Sequence, residues 1–144
     1  MAITPGLARQ GAFELAQSAT RLAREADIAN GEVYGLCAEA LALERAGRHE
    51  DALARSTEAV ALFDSGRDVD SPEEILFLHA RTARAAGAEA AARDALRRAY
   101  IEVQRKARRL RDHGWRSRYL AAPPARDIVA EAQKAGVDDT DLSA

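Results

Sequence analysis

The sequence predicts an all-α protein in which antiparallel helix pairs stack into a solenoid of about six helices, closed by a C-terminal capping helix. Alanine supplies 34 of the 144 residues, against 9 glycines and 4 prolines. This composition favours helices, because alanine has the highest intrinsic helix propensity. Apolar residues recur at spacings of three and four, and no segment alternates with a period of two. A spacing of glycine, alanine and alanine also occurs three times.

The repeat consists of a glycine, an alanine five residues later and a second alanine seven residues after that. Its three copies are Gly11, Ala16, Ala23; Gly47, Ala52, Ala59; and Gly87, Ala92, Ala99. We expect the glycine to end one helix, because it adopts the left-handed conformation cheaply. The alanines then lie two turns apart on one face of the next helix, where small side chains permit close approach.

The predicted helices follow one another through short connections. In chain order they cover residues 12–29, 32–46, 49–63, 73–86, 88–111 and about 125–135. The first helix carries the apolar stripe Ala12, Leu15, Ala16, Ala19, Leu22, Ala23 and Ala26. Comparable stripes are Val33, Leu36, Ala40 and Leu43 in the second helix and Leu76, Ala80 and Ala83 in the fourth. These stripes predict the buried faces.

Local signals mark the boundaries between the helices. Breaks are predicted at Asn30-Gly31, in the charged stretch 64–70, at Asp112-His113-Gly114 and at Pro123-Pro124. The clearest start signal places Ser71 as N-cap, Pro72 at the first helical position and Glu74 as the residue that closes a capping box. We therefore expect the Ser71 and Glu74 side chains to satisfy the first backbone N–H groups of this helix.

The length predicts one domain, over residues 1–136. It divides into a half repeat (5–30), repeats at 32–66 and 72–111, and a capping segment at 115–136, followed by a flexible acidic tail at 137–144. The half repeat contributes one helix without a full partner. We expect its open face either to belong with a larger protein or to be buried by self-association.

Two segments, 33–66 and 73–106, resemble tetratricopeptide repeats. The signature positions hold Leu36, Glu39, Ala40, Leu43, Ala52, Ser56 and Ala59 in the first segment. In the second they hold Leu76, His79, Ala80, Ala83, Ala92, Leu96 and Ala99. The small residues match the signature, whereas its large aromatic positions are not matched.

The second half of the chain looks like the closing segment of tetratricopeptide regions at the C-termini of large bacterial regulators, such as multidomain kinases, nucleotide cyclases and ATPase-type transcription activators. The residues in its characteristic places are Leu110, Arg111, Asp112, Tyr119, Leu120, Pro124 and Ile128. Trp115 stands where an aliphatic residue is common in such segments. The resemblance implies a signalling domain that binds partners and has no catalysis of its own.

Stacked helix pairs present a concave face formed by the first helix of each repeat. The residues expected there are Tyr34, Cys37, Leu41, Glu44, Glu74, Phe77, Arg81 and Arg84. They predict a peptide-binding groove with an apolar floor and charged edges. The alternative is that Phe77, Leu41 and Cys37 only pack against a neighbouring helix. A site that clamps a C-terminal carboxylate is not expected, because Cys37 and Leu41 occupy two of the positions that such repeats fill with polar residues.

A basic ridge forms the second candidate surface. It comprises Arg105, Arg108, Arg109 and Arg111, with Lys106, Arg116 and Arg118 nearby. Nucleic acid could bind here through its phosphates, with Trp115 and Tyr119 stacking on bases. Against this, the formal net charge is −2, and the arginines lie opposite an apolar stripe, as on any solvated helix face. We therefore expect a protein or peptide partner rather than nucleic acid.

Catalytic and metal-binding patterns are not found in the sequence, so we expect no enzyme and no cofactor. The three histidines, His49, His79 and His113, lack metal-ligand spacing, and one cysteine offers no pair to join them. Asp64, Asp68 and Asp70 lack the closing glutamate of a calcium loop. Cys37 has no basic neighbour at helical spacing that would activate its thiol.

The single cysteine and the lack of any long apolar run predict a cytoplasmic protein with no membrane segment. The leading functional interpretation is a regulatory, non-catalytic module that binds a protein or peptide through its concave face. The alternative is a structural unit that forms a homodimer through its open N-terminal helix. Nucleic-acid binding through the basic ridge ranks third.

Overall fold

The computed structural model describes residues 5–137, except for the side chains of residues 5–10 and 29. This part of the chain forms seven helices and contains no strand, which confirms the all-α prediction. The helices are α1 (Pro5–Glu25), α2 (Ala29–Arg45), α3 (His49–Asp64), α4 (Pro72–Ala85), α5 (Glu89–Arg109), α6 (His113–Ala121) and α7 (Ala125–Lys134). The tail predicted at 137–144 lies outside the described residues apart from Val137.

Each helix from α1 to α5 packs mainly on its neighbours in the chain. In addition, α2 contacts α4, and α5 contacts both α6 and α7. One apolar cluster runs through these contacts and contains the predicted core residues Val33, Leu36, Leu76 and Ala80. The six alanines of the repeat are all buried, so the small-residue spacing does mark the helix–helix contacts.

Two of the three repeat glycines end a helix as predicted, and the third does not. Gly47 (φ 76°) and Gly87 (φ 81°) follow α2 and α4 in the left-handed conformation. Their N–H groups donate to the carbonyls of Glu44 and Arg84, both at 3.0 Å. Gly11 instead lies inside α1, because this helix already begins at Pro5. The prediction that Gly11 ends a helix was therefore wrong.

The first helix was expected to end at Asn30-Gly31, and this was also wrong. It ends at Glu25, and the turn to α2 uses Asp27 in the left-handed region, at φ 54°. Gly31 is a residue of α2. A Cβ atom on Gly31 would lie 2.8 Å from Ala23 Cβ, and one on Gly35 would lie 2.9 Å from Thr20 Cα. Both glycines therefore allow α1 and α2 to approach closely rather than ending a helix.

The start of α4 follows the prediction in position but not in chemistry. Ser71 is the N-cap and Pro72 the first helical residue, yet the Ser71 side chain makes no capping hydrogen bond. The Ser71 N–H donates instead to the phenol oxygen of Tyr34, at 3.1 Å. A tertiary contact from α2 thus replaces the local capping box. Farther along the chain, the Asp112 carboxylate caps α6 by accepting the Trp115 N–H at 2.9 Å.

Polar pairs join the helices at two equivalent positions of the repeat. Thr20 of α1 donates to Glu39 Oε2 of α2 at 2.6 Å. Ser56, one period later in α3, lies 2.8 Å from His79 Nδ1 of α4 and 2.7 Å from Thr82 Oγ1. The third equivalent position holds Leu96, which is fully buried in the apolar cluster. The junctions therefore change from polar to apolar along the chain.

Candidate binding groove

A groove of about 530 Å³ lies between α2, α4 and the beginning of α7. Its lining is mostly apolar and comes from three separate stretches of the chain. These stretches supply Tyr34, Cys37, Ala38 and Leu41; Glu74, Ile75, Phe77, Leu78 and Arg81; and Pro123, Pro124 and Asp127. Because successive residues on one face of a helix lie three or four positions apart, α2 and α4 each present a short row of side chains to the groove.

Six of the eight residues expected on the concave face line this groove, and two lie elsewhere. Glu44 Oε1 lies 2.9 Å from His49 Nδ1, at the turn between α2 and α3. Arg84 reaches toward α7, where its guanidinium lies 3.9 Å from the Glu131 carboxylate. The charges expected at the end of each row are thus turned to other partners. The groove itself is shorter than the predicted surface.

The C-terminal side of the groove was not identified from the sequence. Pro123, Pro124 and Asp127 line it beside α4. The only sequence signal was the break at the two prolines, which located the start of the last helix. The residue range of α7 was predicted, but the position of its first turn depends on how α7 packs on α5.

The floor and the edge of the groove differ in exposure. Phe77 and Cys37 are 7% and 8% exposed, so they pack among their neighbours as the alternative interpretation requires. Leu41, in contrast, is 43% exposed. The Arg81 guanidinium lies 5.6 Å from the centroid of the Phe77 ring, a cation–π contact at the edge of the floor. Leu41 and Arg81 are thus accessible to a ligand, as are the exposed groove residues Ala38, Glu74 and Pro123.

Burial keeps two ionisable groups of the groove neutral. The pKa of Cys37 is raised to about 12, first by burial and second by the nearby Glu74 carboxylate. Burial also raises the pKa of Tyr34, and the charges of Glu74 and Asp70 add to this, although the hydrogen bond from Ser71 opposes it. The thiol is consequently protonated at neutral pH and is not an activated nucleophile.

The basic ridge is only partly available to a ligand. Arg105 pairs with Glu102 at 3.3 Å, and Lys106 lies 3.3 Å from the buried Glu73 carboxylate. Arg116 donates to the carbonyls of Ala107 and Leu110, which closes the end of α5. The ridge arginines that are exposed and have no ion pair among the described residues are Arg108, Arg109 and Arg111.

The two aromatic residues expected beside the ridge have different surroundings. Trp115 is 62% exposed. Tyr119 is partly buried and donates to Glu73 Oε2 at 2.9 Å. Burial, followed by this hydrogen bond, raises the pKa of Tyr119 well above its ordinary range. Tyr119 thus makes an internal hydrogen bond, and its ring is not freely accessible for stacking on a base.

The remaining candidate residues are dispersed. His79 bonds to Ser56 inside the α3–α4 junction, and His113 is exposed at the start of α6. Asp64 pairs with Arg98 at 2.5 Å. Within residues 5–137, no three histidine, cysteine, aspartate or glutamate side chains converge as a metal site requires.

Comparisons of this chain with protein-family models, with curated proteins and with solved structures find no match. Among the helices that the structure describes, none is long and apolar enough to cross a membrane.

Proposed function

We propose that this chain is a non-catalytic interaction module that binds a short segment of a protein partner in the groove between α2, α4 and α7. In this proposal the helix pairs are arranged as a tetratricopeptide-type solenoid. The observation that carries it is the groove of about 530 Å³, whose lining is apolar with a few charged groups. A concave, mostly apolar site with few polar groups is typical of ligand recognition.

The accessible residues favour a peptide segment as the ligand. Leu41 offers an exposed apolar contact beside the Phe77 floor. Glu74 and Arg81 both line the groove and lie seven residues apart on α4, which corresponds to about 10 Å along the helix. Because these charges are opposite and lie at different positions along the groove, a bound segment has a preferred orientation. The charges favour a segment that carries an apolar anchor between a basic and an acidic residue.

A regulatory role and a cytoplasmic location are parts of the same proposal. The regulatory role rests on the resemblance of residues 33–132 to the tetratricopeptide regions of bacterial regulators. The cytoplasmic location rests on the single cysteine, which suits a reducing compartment. The raised pKa of Cys37 supports the non-catalytic part of the proposal, because this thiol is not activated.

The experiment begins with a phage-displayed library of random peptides, selected on the full chain. Binding of a selected peptide is then measured by fluorescence polarisation. Ala38 lines the groove and is exposed, and Cys37 is the only native cysteine. In a variant that combines Cys37→Ala with Ala38→Cys, alkylation by N-ethylmaleimide therefore reports on this site. We expect the bound peptide to slow this alkylation. Peptides that bind but leave this rate unchanged would place the site elsewhere.

The decisive variant is Leu41→Asp, which puts a charge on the exposed edge of the groove. We expect it to weaken binding by at least about tenfold, since a buried unpaired charge costs more than 1.4 kcal/mol. The matched control is Ile28→Asp, because Ile28 is 54% exposed and lies outside the groove. Equal affinity of both variants for the peptide would contradict the proposal.

Nucleic-acid binding remains a second candidate, favoured by exposed Trp115 and the unpaired arginines of the ridge. It predicts the opposite effects of these substitutions on binding. A fluorescent single-stranded oligonucleotide would then bind the Leu41→Asp variant normally. Binding would fall steeply with salt and would be lost on Arg108→Ala and Arg109→Ala substitution.

A further inference from the structure

Helix α1 carries two apolar faces, and only one of them is covered. Its inner face places Ala16, Thr20 and Ala23 against α2, and all three are buried. A second row, which we call the α1 seam, is exposed along its whole length. The seam consists of Ala12, Leu15, Ala19, Leu22 and Ala26. Leu15 is 74% exposed and Leu22 is 59% exposed.

The seam has the spacing of a coiled-coil interface. Its residues follow one another at intervals of three, four, three and four, so alanines occupy one core position of the heptad and leucines the other. A helix face that contacts only solvent does not require apolar residues at these regular intervals. The pattern therefore identifies another helix as the element that would cover it.

The alternation of small and large residues selects the direction of that second helix. In a parallel pair of identical seams, alanine would face alanine and leucine would face leucine, which leaves voids next to crowded layers. Reversing one helix brings each leucine opposite an alanine. Leu22 then faces Ala19 of the second copy, and Leu15 faces Ala26 of the second copy. The four layers formed by these pairs all have the same summed volume.

We propose that a second copy of this chain packs antiparallel on the α1 seam and forms a two-fold symmetric dimer. An interface of this symmetry must be self-complementary, and the alternation of alanine and leucine satisfies this condition. The polar and charged residues beside the seam are also compatible with the antiparallel dimer. Ser18 and Glu25 flank the seam on its solvent side, and the two-fold axis brings the Ser18 hydroxyl near the Glu25 carboxylate of the second copy. No like charges face each other across the seam.

The size of the seam sets the expected strength of the dimer. It spans residues 12–26, which are the last fourteen residues of α1 and the residue that follows it, or about 22 Å along the helix axis. One helix of this length buries less than the roughly 800 Å² per partner of a standard interface. We therefore expect a weak, reversible dimer. The groove is lined by α2, α4 and α7 rather than by α1, so the dimer and the proposed ligand do not compete for the same surface.

The oligomeric state of the full chain tests this inference. Sedimentation velocity should show a monomer at low concentration and a dimer at about 500 µM. Leu22→Gln should remove the dimer without changing helicity, because Leu22 is 59% exposed in the monomer. The matched control is Leu41→Gln, an exposed leucine of the groove, which should dimerise normally. A chain that stays monomeric throughout, or a dimer that survives Leu22→Gln, would overturn the proposal.

Disulfide trapping tests the direction of packing. In a Cys37→Ala background, Ala19→Cys and Leu22→Cys are made as separate chains and mixed under mild oxidation. The antiparallel arrangement predicts that the mixed disulfide between the two variants forms faster than either self-disulfide. Self-disulfides as the main products would instead indicate a parallel pair and would contradict the inference.

Discussion

The amphipathic helices α1 and α7, near the two ends of this molecule, differ in how completely their apolar faces are buried. At the C-terminal end, α7 buries Ala125, Ile128 and Ala132 completely and packs on α5. At the N-terminal end, α1 buries one row of small residues and leaves Leu15 and Leu22 in solvent. Helical periodicity predicted the apolar stripe of α1, whereas only the residue range of α7 was predicted. Whether a second element covers the rest of the stripe depends on what packs beside it.

The chemistry of the packing also differs between the ends. The α1–α2 junction contains the hydrogen bond from Thr20 to Glu39, and the guanidinium of Arg55 lies 3.3 Å from the same carboxylate. The corresponding position near the C-terminal end holds Leu96, in the same apolar cluster as Ile128. Equivalent positions of one repeat therefore contribute to stability through hydrogen bonds at one end and through apolar burial at the other.

The largest effect is expected for Ile128→Ala in the α7 cap. Ile128 is fully buried, so its removal leaves a cavity and should cost about 2–5 kcal/mol in the free energy of unfolding. Urea denaturation followed by circular dichroism measures this. The control is Leu22→Ala at low protein concentration, which should change the value by less than about 0.5 kcal/mol because this residue is exposed. Similar losses in both variants would remove the contrast between the ends.

The next effect is expected at the α1–α2 contact. Gly35→Ala would place a Cβ 2.9 Å from Thr20 Cα, and a backbone atom cannot move aside without displacing α1. We expect a loss of about 1–3 kcal/mol, measured by urea denaturation. The matched control is Gly11→Ala in the same helix pair, where a Cβ meets nothing within 4 Å. This variant should instead stabilise the protein by about 0.5–1 kcal/mol.

If Gly11→Ala destabilised the chain as much as Gly35→Ala, Gly11 would have the turn-forming role that its position in the repeat suggested. The structure assigns that role to Gly47 and Gly87.

The smallest effect is a pH dependence of the α3–α4 junction. Burial, followed by the charge of Arg98, lowers the pKa of His79 below its ordinary value of 6.5, although Asp94 and Asp64 oppose this. Below that value the unfolded chain binds a proton that the folded chain does not, so stability falls as the pH falls. We expect a lower free energy of unfolding at about pH 5.5 than at pH 7.5.

His79→Gln should lack this contribution, whereas His113→Gln, at an exposed site, should keep it. Urea denaturation at the two pH values provides the comparison. A wild-type pH dependence in the His79 variant would show that the contribution comes from another group.

The elements of this fold were predictable because their signals are local. Apolar spacing and boundary signals located six of the seven helices, five of them to within three residues at both ends. The exception among the six is α1, which begins and ends earlier than predicted, and α6 was not among the predicted helices. The positive φ of Gly47 and Gly87 followed from their place after a helix. Gly31 and the capping box of Ser71 were misinterpreted because the deciding contacts come from distant parts of the chain. Gly11 was misinterpreted because α1 already begins at Pro5. Thr20 and Ala23 explain Gly35 and Gly31, and Tyr34 replaces Glu74 at Ser71.

The sequence by itself therefore determined the all-α class, the order of most helices, the buried alanines and half of the side chains that line the groove, since these depend on periodicity and backbone preference. Only the tertiary structure decided that Glu44 and Arg84 turn away from the groove and that residues 123–127 close it. It also decided that the α1 seam is exposed, whereas the apolar face of α7 is buried by its contact with α5. These outcomes depend on which surfaces meet, and the intrinsic preferences of a helix contain no information about its neighbour.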